Sequence, residues 1–175
     1  MIVQQIPPAP NLYLLANIVT PELAQQIATH DWLNEAVQKQ EGQEQWDRWM
    51  IDTHPLIDKF EQQLNAKLPL LNAAIDADYN FAEGTRIWID SPGFTVPMHL
   101  DGWLPAALQC YWLGDEECGT VFYNSNDTED VRHAFKAIEN TGYYMRNPDP
   151  DNNSLWHGML IPTKNLRITS YTYFR

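Results

Sequence analysis

The segment LRITSYTYF, residues 166–174, gives the clearest indication of the fold class. Its β-branched and aromatic residues predict a β-strand. Shorter strands bounded by turn-forming residues are predicted upstream, at residues 86–90, 107–113, 119–123 and 141–145. Residues 131–138 fit a helix or a strand equally well. Several short strands joined by turns are typical of a β-sandwich or a small β-barrel.

The first half of the chain has a pattern that predicts helices. Thr20 and Pro21 form a typical helix start, because Thr caps the first amides and Pro suits the first turn. Hydrophobic residues four apart predict a second helix over residues 55–68, and a third short helix is expected at residues 69–77. Residues 1–11 are expected to form an arm or an edge strand, and residues 34–50 are left unassigned.

The change of pattern predicts how the chain is organised. We expect a mainly β protein with N-terminal helices, forming a single domain over residues 1–175. Residues 1–78 would then be a helical N-terminal support, and residues 79–175 would form the β core.

The composition limits the classes of partner. The 175 residues carry 11 Lys and Arg against 23 Asp and Glu, and the net charge is −12. Such a surface repels phosphates, so binding to nucleic acid or to an anionic membrane is not supported. No signal peptide or membrane span is predicted, and Cys110 and Cys118 do not suggest a disulfide framework. We therefore expect a cytoplasmic protein with reduced thiols.

The segment VPMHLDG, residues 96–102, contains the first candidate ligands. His99 and Asp101 are two positions apart, so an extended backbone places both side chains on one face, within reach of a single metal. Taken alone, this pattern is better explained by a loop histidine that is hydrogen-bonded to a neighbouring aspartate.

Two further residues favour a metal site. His157 follows a polar loop, and Arg167 lies within the last predicted strand. Two histidines and one carboxylate leave three octahedral positions open, which suits Fe(II) with a bidentate 2-oxo acid and dioxygen. A buried Arg requires a carboxylate partner, and the distal carboxylate of 2-oxoglutarate fits its two-pronged guanidinium.

Six motifs occur in a fixed order along the second half of the chain: His99-Leu100-Asp101, Tyr111-Trp112-Leu113, Cys118-Gly119-Thr120-Val121-Phe122, Thr141-Gly142-Tyr143-Tyr144-Met145, His157-Gly158-Met159 and Leu166-Arg167-Ile168-Thr169. Their order resembles the 2-oxoglutarate/Fe(II)-dependent dioxygenases, most closely their prolyl-hydroxylase-like branch. The resemblance covers roughly residues 80–175 and a segment over residues 12–27. Three departures are Cys118 in place of the first Gly of a Gly-Gly pair, Asn165 in place of a Gly, and Trp112 at the position where related enzymes have a Tyr that contacts oxoglutarate.

The resemblance implies a fold and an activity. The fold would be a double-stranded β-helix, a jelly-roll or cupin-like barrel. His99, Asp101 and His157 would be the catalytic residues and hold Fe(II). Arg167 and Thr169 would bind the cosubstrate 2-oxoglutarate, with Trp112 as a further contact. Dioxygen would then hydroxylate a substrate, by default a protein side chain such as proline, with a small molecule as the other option.

Three alternatives stay open from the sequence. The first is a non-catalytic binding protein with the same fold. The second is a cupin-like metalloprotein that does not use 2-oxoglutarate, in which Arg167 would be dispensable. The third is a β-sandwich interaction module in which His99 and His157 lie far apart. The oligomeric state is not indicated.

Several other side chains have both structural and functional interpretations. His30 and His54 are expected to be surface or capping residues, and His133 is a possible ligand without a partner at fixed spacing. Arg86 would face the cavity or form a surface salt bridge. Trp88, Trp103 and Trp156 are candidates for a substrate mouth, although core packing explains Trp88 more readily.

Overall fold

The computed structural model describes residues 1–7, 9–39, 47–101, 106–146 and 155–175. Trp103 and most of the polar loop at residues 146–153 lie outside these ranges. The helices are α1 (Pro21–Thr29), α2 (Trp32–Lys39), α3 (Pro55–Ala66) and α4 (Leu68–Ile75). The strands are β1 (Ile2–Ile6), β2 (Ala9–Ala16), β3 (Arg48–Ile51), β4 (Ala82–Asp90), β5 (Val96–His99), β6 (Ala106–Leu113), β7 (Val121–Tyr123), β8 (Val131–Ala134), β9 (Thr141–Arg146), β10 (Trp156–Met159) and β11 (Arg167–Phe174).

The strands form two antiparallel sheets. The larger sheet has seven strands in the order β1-β2-β9-β6-β11-β4-β3, and the smaller has four in the order β5-β10-β7-β8. The mainly β architecture predicted from the sequence is confirmed, because these two sheets have the double-stranded β-helix arrangement.

The helices cover one face of the larger sheet. Thr20 caps α1 by accepting a hydrogen bond from the Leu23 amide, and Pro21 occupies the first turn, as expected. Hydrophobic residues of α1 and α3, including Ile27 and Phe60, pack against sheet residues such as Ile89. A second cluster lies on the opposite face and joins the two sheets through Tyr111, Phe122 and Tyr143. The space between the sheets holds the candidate site.

Strand alternation decides which side chains reach that space. On β6, Leu108 and Cys110 belong to the helix-facing core, whereas Ala107 and Tyr111 belong to the cluster between the sheets. This is the period of two that a pleated strand imposes on its side chains.

The N-terminal region contributes more strand than the sequence indicates. Residues 1–11 include an edge strand, as predicted, and β1, β2 and β3 add three strands to the seven-stranded sheet. The unassigned residues 34–50 contain the end of α2 and the start of β3, and the ambiguous residues 131–138 contain β8. The single-domain organisation stays a prediction. Among the described residues, no helix is both long and apolar enough to cross a bilayer.

Candidate metal centre

The pairing of β5 with β10 places His99 directly opposite His157. Their ring centroids are 4.4 Å apart. Gly158 permits this close pairing, because a Cβ there would lie 2.8 Å from the Val96 carbonyl oxygen. The β-sandwich alternative, in which the two histidines lie far apart, is therefore wrong.

Asp101 completes a three-residue group with His99 and His157, which we call the histidine group. Its Oδ1 lies 3.5 Å from His99 Nε2, and its Oδ2 lies 3.5 Å from His157 Nε2. One potential ligand atom from each residue lies within 4.8 Å of those of the other two. The structure thus brings together the three residues that the sequence singled out as metal ligands.

Main-chain carbonyls determine which nitrogen of each imidazole faces the centre. His99 Nδ1 lies 2.8 Å from the Pro97 oxygen, and His157 Nδ1 lies 2.8 Å from the Leu155 oxygen. A carbonyl oxygen only accepts hydrogen bonds, so each Nδ1 carries the proton and each neutral ring has its lone pair on Nε2. Two lone pairs and a carboxylate then face one another, an arrangement that a cation stabilises.

The electrostatics favour the neutral form of His157 and the ionised form of Asp101, which are the forms that bind a metal. Burial lowers the pKa of His157, which favours the neutral imidazole. Burial alone would raise the pKa of Asp101, but the hydrogen bond with His99 and the charge of His157 outweigh it and lower that pKa. The hydrogen bond with Asp101 raises the pKa of the more exposed His99. The carboxylate is therefore ionised at neutral pH.

A second group, formed by His30, Glu35 and His54, has similar spacing but different chemistry. His54 Nδ1 accepts a hydrogen bond from the Leu56 amide at the start of α3, which confirms its expected capping role. In the neutral ring the proton is then on Nε2, which lies 3.4 Å from Glu35 Oε2. This group is suited to a hydrogen bond between helices rather than to metal ligation.

Three charged residues lie side by side on the neighbouring strands β3, β4 and β11. Arg48 of β3 and Arg167 of β11 both lie directly opposite Asp90 of β4. Arg167 Nη1 donates to Asp90 Oδ2 at 2.6 Å. Arg48 Nε lies 3.0 Å from Asp90 Oδ1 without the alignment of a hydrogen bond. We call these residues the Arg48–Asp90–Arg167 array.

Arg167 points into the cavity, as expected, but it already contacts a protein carboxylate. The recorded hydrogen bond to Asp90 uses Nη1 alone, so Asp90 does not occupy both prongs of the guanidinium. Arg167 Nε and the hydroxyl of Thr169, two positions further along β11, are buried and have no hydrogen-bond partner among the described residues. Arg167 Nε and the Thr169 hydroxyl therefore remain available for hydrogen bonds to a ligand.

The predicted cosubstrate contact of Trp112 is wrong. Its ring packs against Phe60 of α3, with centroids 5.5 Å apart, in the helix-facing core. Alternation on β6 turns Tyr111 towards the cavity side instead, where its hydroxyl donates to Thr120 Oγ1 at 2.9 Å. The register between β6 and β11 shifts at this point, because Ile168 pairs with Leu113 and Thr169 pairs with Tyr111.

A cavity of about 200 Å³ connects the histidine group with the array. Its lining includes three residues that the sequence analysis did not assign to a site: Arg48, Gln109 and Tyr171. Alternation could have identified Tyr171, since it shares a strand face with Arg167 and Thr169. Trp88 also lines the cavity, which favours the substrate-mouth interpretation over core packing.

The remaining candidates lie apart from this cavity. Arg86 lies over the ring of Tyr173, with its guanidinium carbon 5.8 Å from the ring centroid, and borders a separate pocket. His133 packs against Phe135 and does not belong to the histidine group. Trp156 precedes His157 on β10 and is not among the residues recorded in the cavity wall.

Tyr171 orients the carboxylate of Asp101 through a hydrogen bond. Its hydroxyl donates to Asp101 Oδ2 at 2.7 Å. We expect Tyr171→Phe to weaken Mn²⁺ binding by about 10- to 100-fold, because outer partners orient metal ligands. Calorimetric titration of Mn²⁺ measures this. Tyr79→Phe is the control, because its hydroxyl contacts Tyr144, which packs in the helix-facing core. Equal affinities of the two variants would remove this role.

Solved structures with the same fold support the resemblance seen in the sequence. No family model matches the sequence, and no curated protein matches it. A viral collagen prolyl hydroxylase from Paramecium Bursaria Chlorella virus-1, in a 2-oxoglutarate complex, superimposes with a TM-score of 0.63 at 17% identity. A Pseudomonas putida prolyl-4-hydroxylase gives 0.67 at 14% identity. These alignments cover 94% of this chain and 95% and 92% of the two neighbours, respectively.

A third structure shares the fold at lower identity. It is a Trichoplax adhaerens prolyl hydroxylase in complex with a hypoxia inducible factor peptide fragment. Its TM-score is 0.64 at 10% identity, and the alignment covers 94% of this chain and 83% of that one. The chain therefore has the double-stranded β-helix fold of the prolyl hydroxylases.

Proposed function

We propose that the protein is an Fe(II)- and 2-oxoglutarate-dependent dioxygenase. One observation carries the proposal: two histidines, a carboxylate and two guanidinium groups line the same cavity. His99, Asp101 and His157 would hold the metal. Arg167 and Thr169 would bind the distal carboxylate of the oxo acid.

The histidine group suits iron in its ligand types and orientation. Two imidazole nitrogens and one carboxylate leave positions open for a bidentate oxo acid and dioxygen. Iron bound there would supply dioxygen activation. The Pro97 and Leu155 carbonyls fix the ring orientations, and Tyr171 holds one carboxylate oxygen of Asp101. These contacts prepare the site before a metal binds.

The array suits the distal carboxylate of an oxo acid by its charge. Two guanidinium groups and one carboxylate give it a net charge of about +1, because Arg stays protonated in proteins. A buried positive charge is stabilised by an anion. Arg167 Nε and Thr169 Oγ1 offer unused hydrogen-bonding capacity for that anion.

We propose that the substrate is a protein side chain such as a prolyl residue, with a small molecule as the other option. The side chain of His99 is 41% exposed, whereas that of His157 is 6% exposed. A substrate would therefore approach the metal from the His99 side. The Trichoplax neighbour holds a peptide, and the net charge of −12 favours a neutral or cationic substrate.

A cupin-like metalloprotein that does not use 2-oxoglutarate is the second candidate. The 2.6 Å hydrogen bond between Arg167 and Asp90 favours it, because the guanidinium already has a fixed carboxylate partner. In that case Arg167 would have a purely structural role, and the cavity would not bind an oxo acid.

Arg167→Lys distinguishes these two candidates. We expect it to weaken 2-oxoglutarate binding by about 10- to 100-fold, because an ammonium cannot reproduce the planar, multi-pronged guanidinium. Anaerobic calorimetry on Mn²⁺-loaded protein measures the affinity. Mn²⁺ affinity itself should stay unchanged, and Arg86→Lys, outside this cavity, serves as the control. Mn²⁺-loaded wild type that does not bind 2-oxoglutarate would favour the second candidate, and equal oxoglutarate affinities of wild type and Arg167→Lys would remove Arg167 as the residue that binds the distal carboxylate.

A further inference from the structure

Arg48 adds a second guanidinium group to the wall of the cavity that Arg167 also lines. It belongs to the four-residue edge strand β3 and lies directly opposite Asp90. Its guanidinium carbon lies 4.1 Å from the ring centroid of Trp88 and 5.2 Å from that of Phe94. Contact with two aromatic faces restricts its position, since cations are attracted to such faces.

The two guanidinium groups differ in how Asp90 compensates them. Asp90 is fully buried and bonds to the equally buried Arg167 at 2.6 Å. The side chain of Arg48 is 27% exposed, and its 3.0 Å approach to Asp90 lacks hydrogen-bond alignment. Within the part of the chain that the structure describes, Arg48 has one carboxylate at ion-pair distance, that of Asp90. Since one carboxylate cannot neutralise two cations, the uncompensated charge lies on the Arg48 side.

Neutralising Asp90 does not by itself explain why Arg48 lies beside the Asp90–Arg167 ion pair. Neutralising Asp90 requires one cation, and Arg167 provides it with the shorter contact. A second cation within the same row of strands adds repulsion between the two guanidinium groups. That repulsion is relieved if a ligand anion binds at the cavity wall, which both arginines line.

We propose that Arg48 is a specificity-determining residue that binds the distal carboxylate of the 2-oxo acid together with Arg167. The inference rests on the proposed function and extends it. Arg167, held by Asp90, provides the directed hydrogen bonds, and Arg48 provides the net positive charge. The cavity would therefore select 2-oxo acids with a second carboxylate over those without one.

Arg48→Met tests the inference by comparing two oxo acids. The probes are 2-oxoglutarate and 2-oxopentanoate, which has the same chain length but no distal carboxylate. Both are titrated anaerobically into Mn²⁺-loaded protein. Arg48→Met should weaken 2-oxoglutarate binding by about tenfold or more, the effect expected when one partner of a close, partly buried charge pair is removed. The affinities for 2-oxopentanoate and Mn²⁺ should not change.

Two further variants separate a ligand contact from a folding defect. Arg86→Met removes an arginine of the adjoining pocket and should bind both oxo acids as wild type does. Arg48→Lys retains the charge and should retain part of the preference for 2-oxoglutarate. Equal weakening of both oxo acids by Arg48→Met, or none, would overturn the inference. Wild-type protein that binds Mn²⁺ but not 2-oxoglutarate would instead remove the proposed function.

Discussion

Asp101→Ala is expected to abolish metal binding while leaving the fold intact. Asp101 is the carboxylate of the histidine group, so its removal leaves two imidazoles without a charged ligand. The loss should exceed the roughly 100-fold change that follows removal of an outer partner. The folded state loses the hydrogen bonds of Asp101 with Tyr171 and His99, and we expect the free energy of unfolding to fall by about 1–3 kcal/mol, which leaves the protein folded.

Two measurements on metal-free and Mn²⁺-loaded protein check this result. Calorimetry gives the Mn²⁺ affinity, and urea unfolding in metal-free buffer gives the stability. Asp130→Ala is the control, because this exposed carboxylate contacts Asn124 and Ser125 away from the cavity. Unfolding of Asp101→Ala in metal-free buffer would contradict the prediction and indicate a structural His–Asp pair.

The second large effect is expected for Asp90→Asn, which should lower the free energy of unfolding by about 3–5 kcal/mol. The substitution removes the carboxylate between Arg48 and Arg167. Two guanidinium charges would then lie close together, with that of Arg167 fully buried. Urea unfolding measures the loss, and Asp130→Asn on the surface should change stability by about 0.5 kcal/mol or less.

A double variant tests whether charge repulsion causes this loss. Arg48→Met combined with Asp90→Asn removes one of the two uncompensated cations. We expect the pair to recover part of the stability lost in Asp90→Asn, since the two residues are in contact and their effects couple. An Asp90→Asn variant with the same free energy of unfolding as wild type would show that Asp90 does not stabilise the two arginines. The excess positive charge would then give no support to an anion site beside Arg48 and Arg167.

Local sequence patterns were sufficient to predict part of the site. His99 and Asp101 are two positions apart, and so are Arg167 and Thr169. Extended backbone places each pair on one face regardless of what the rest of the chain does. The spacing therefore predicted which side chains share a face, and the resemblance predicted that His157 would join the first pair.

The long-range part of the site could not be predicted in this way. Arg48 lies in a segment rich in Gln, Glu and Trp without helical or strand periodicity, and its position depends on pairing with β4. The contact between Asp90 and Arg167 joins residues 77 positions apart. No local pattern specifies such pairing, so the sequence suggested a free Arg167 where the structure shows a shared carboxylate.

The error at Trp112 has a different physical cause. Alternation requires neighbouring residues of β6 to face opposite sides, so Tyr111 and Trp112 could not both reach the cavity. The resemblance indicated that residue 112 contacts the cosubstrate, but it did not indicate which face of β6 the side chain of Trp112 occupies. The size of Trp112 suits the helix-facing core, where it contacts Phe60.

Formation of succinate by the isolated protein is the most direct test of the proposed dioxygenase activity. Protein in excess of 2-oxoglutarate is incubated with Fe(II) in air-saturated buffer, and succinate and carbon dioxide are quantified over several hours. We predict that both form in equal amounts, require Fe(II) and dioxygen, and do not form with Asp101→Ala. Oxoglutarate that binds beside the metal in wild-type protein and is recovered unconverted would contradict a dioxygenase and indicate a non-catalytic binding protein.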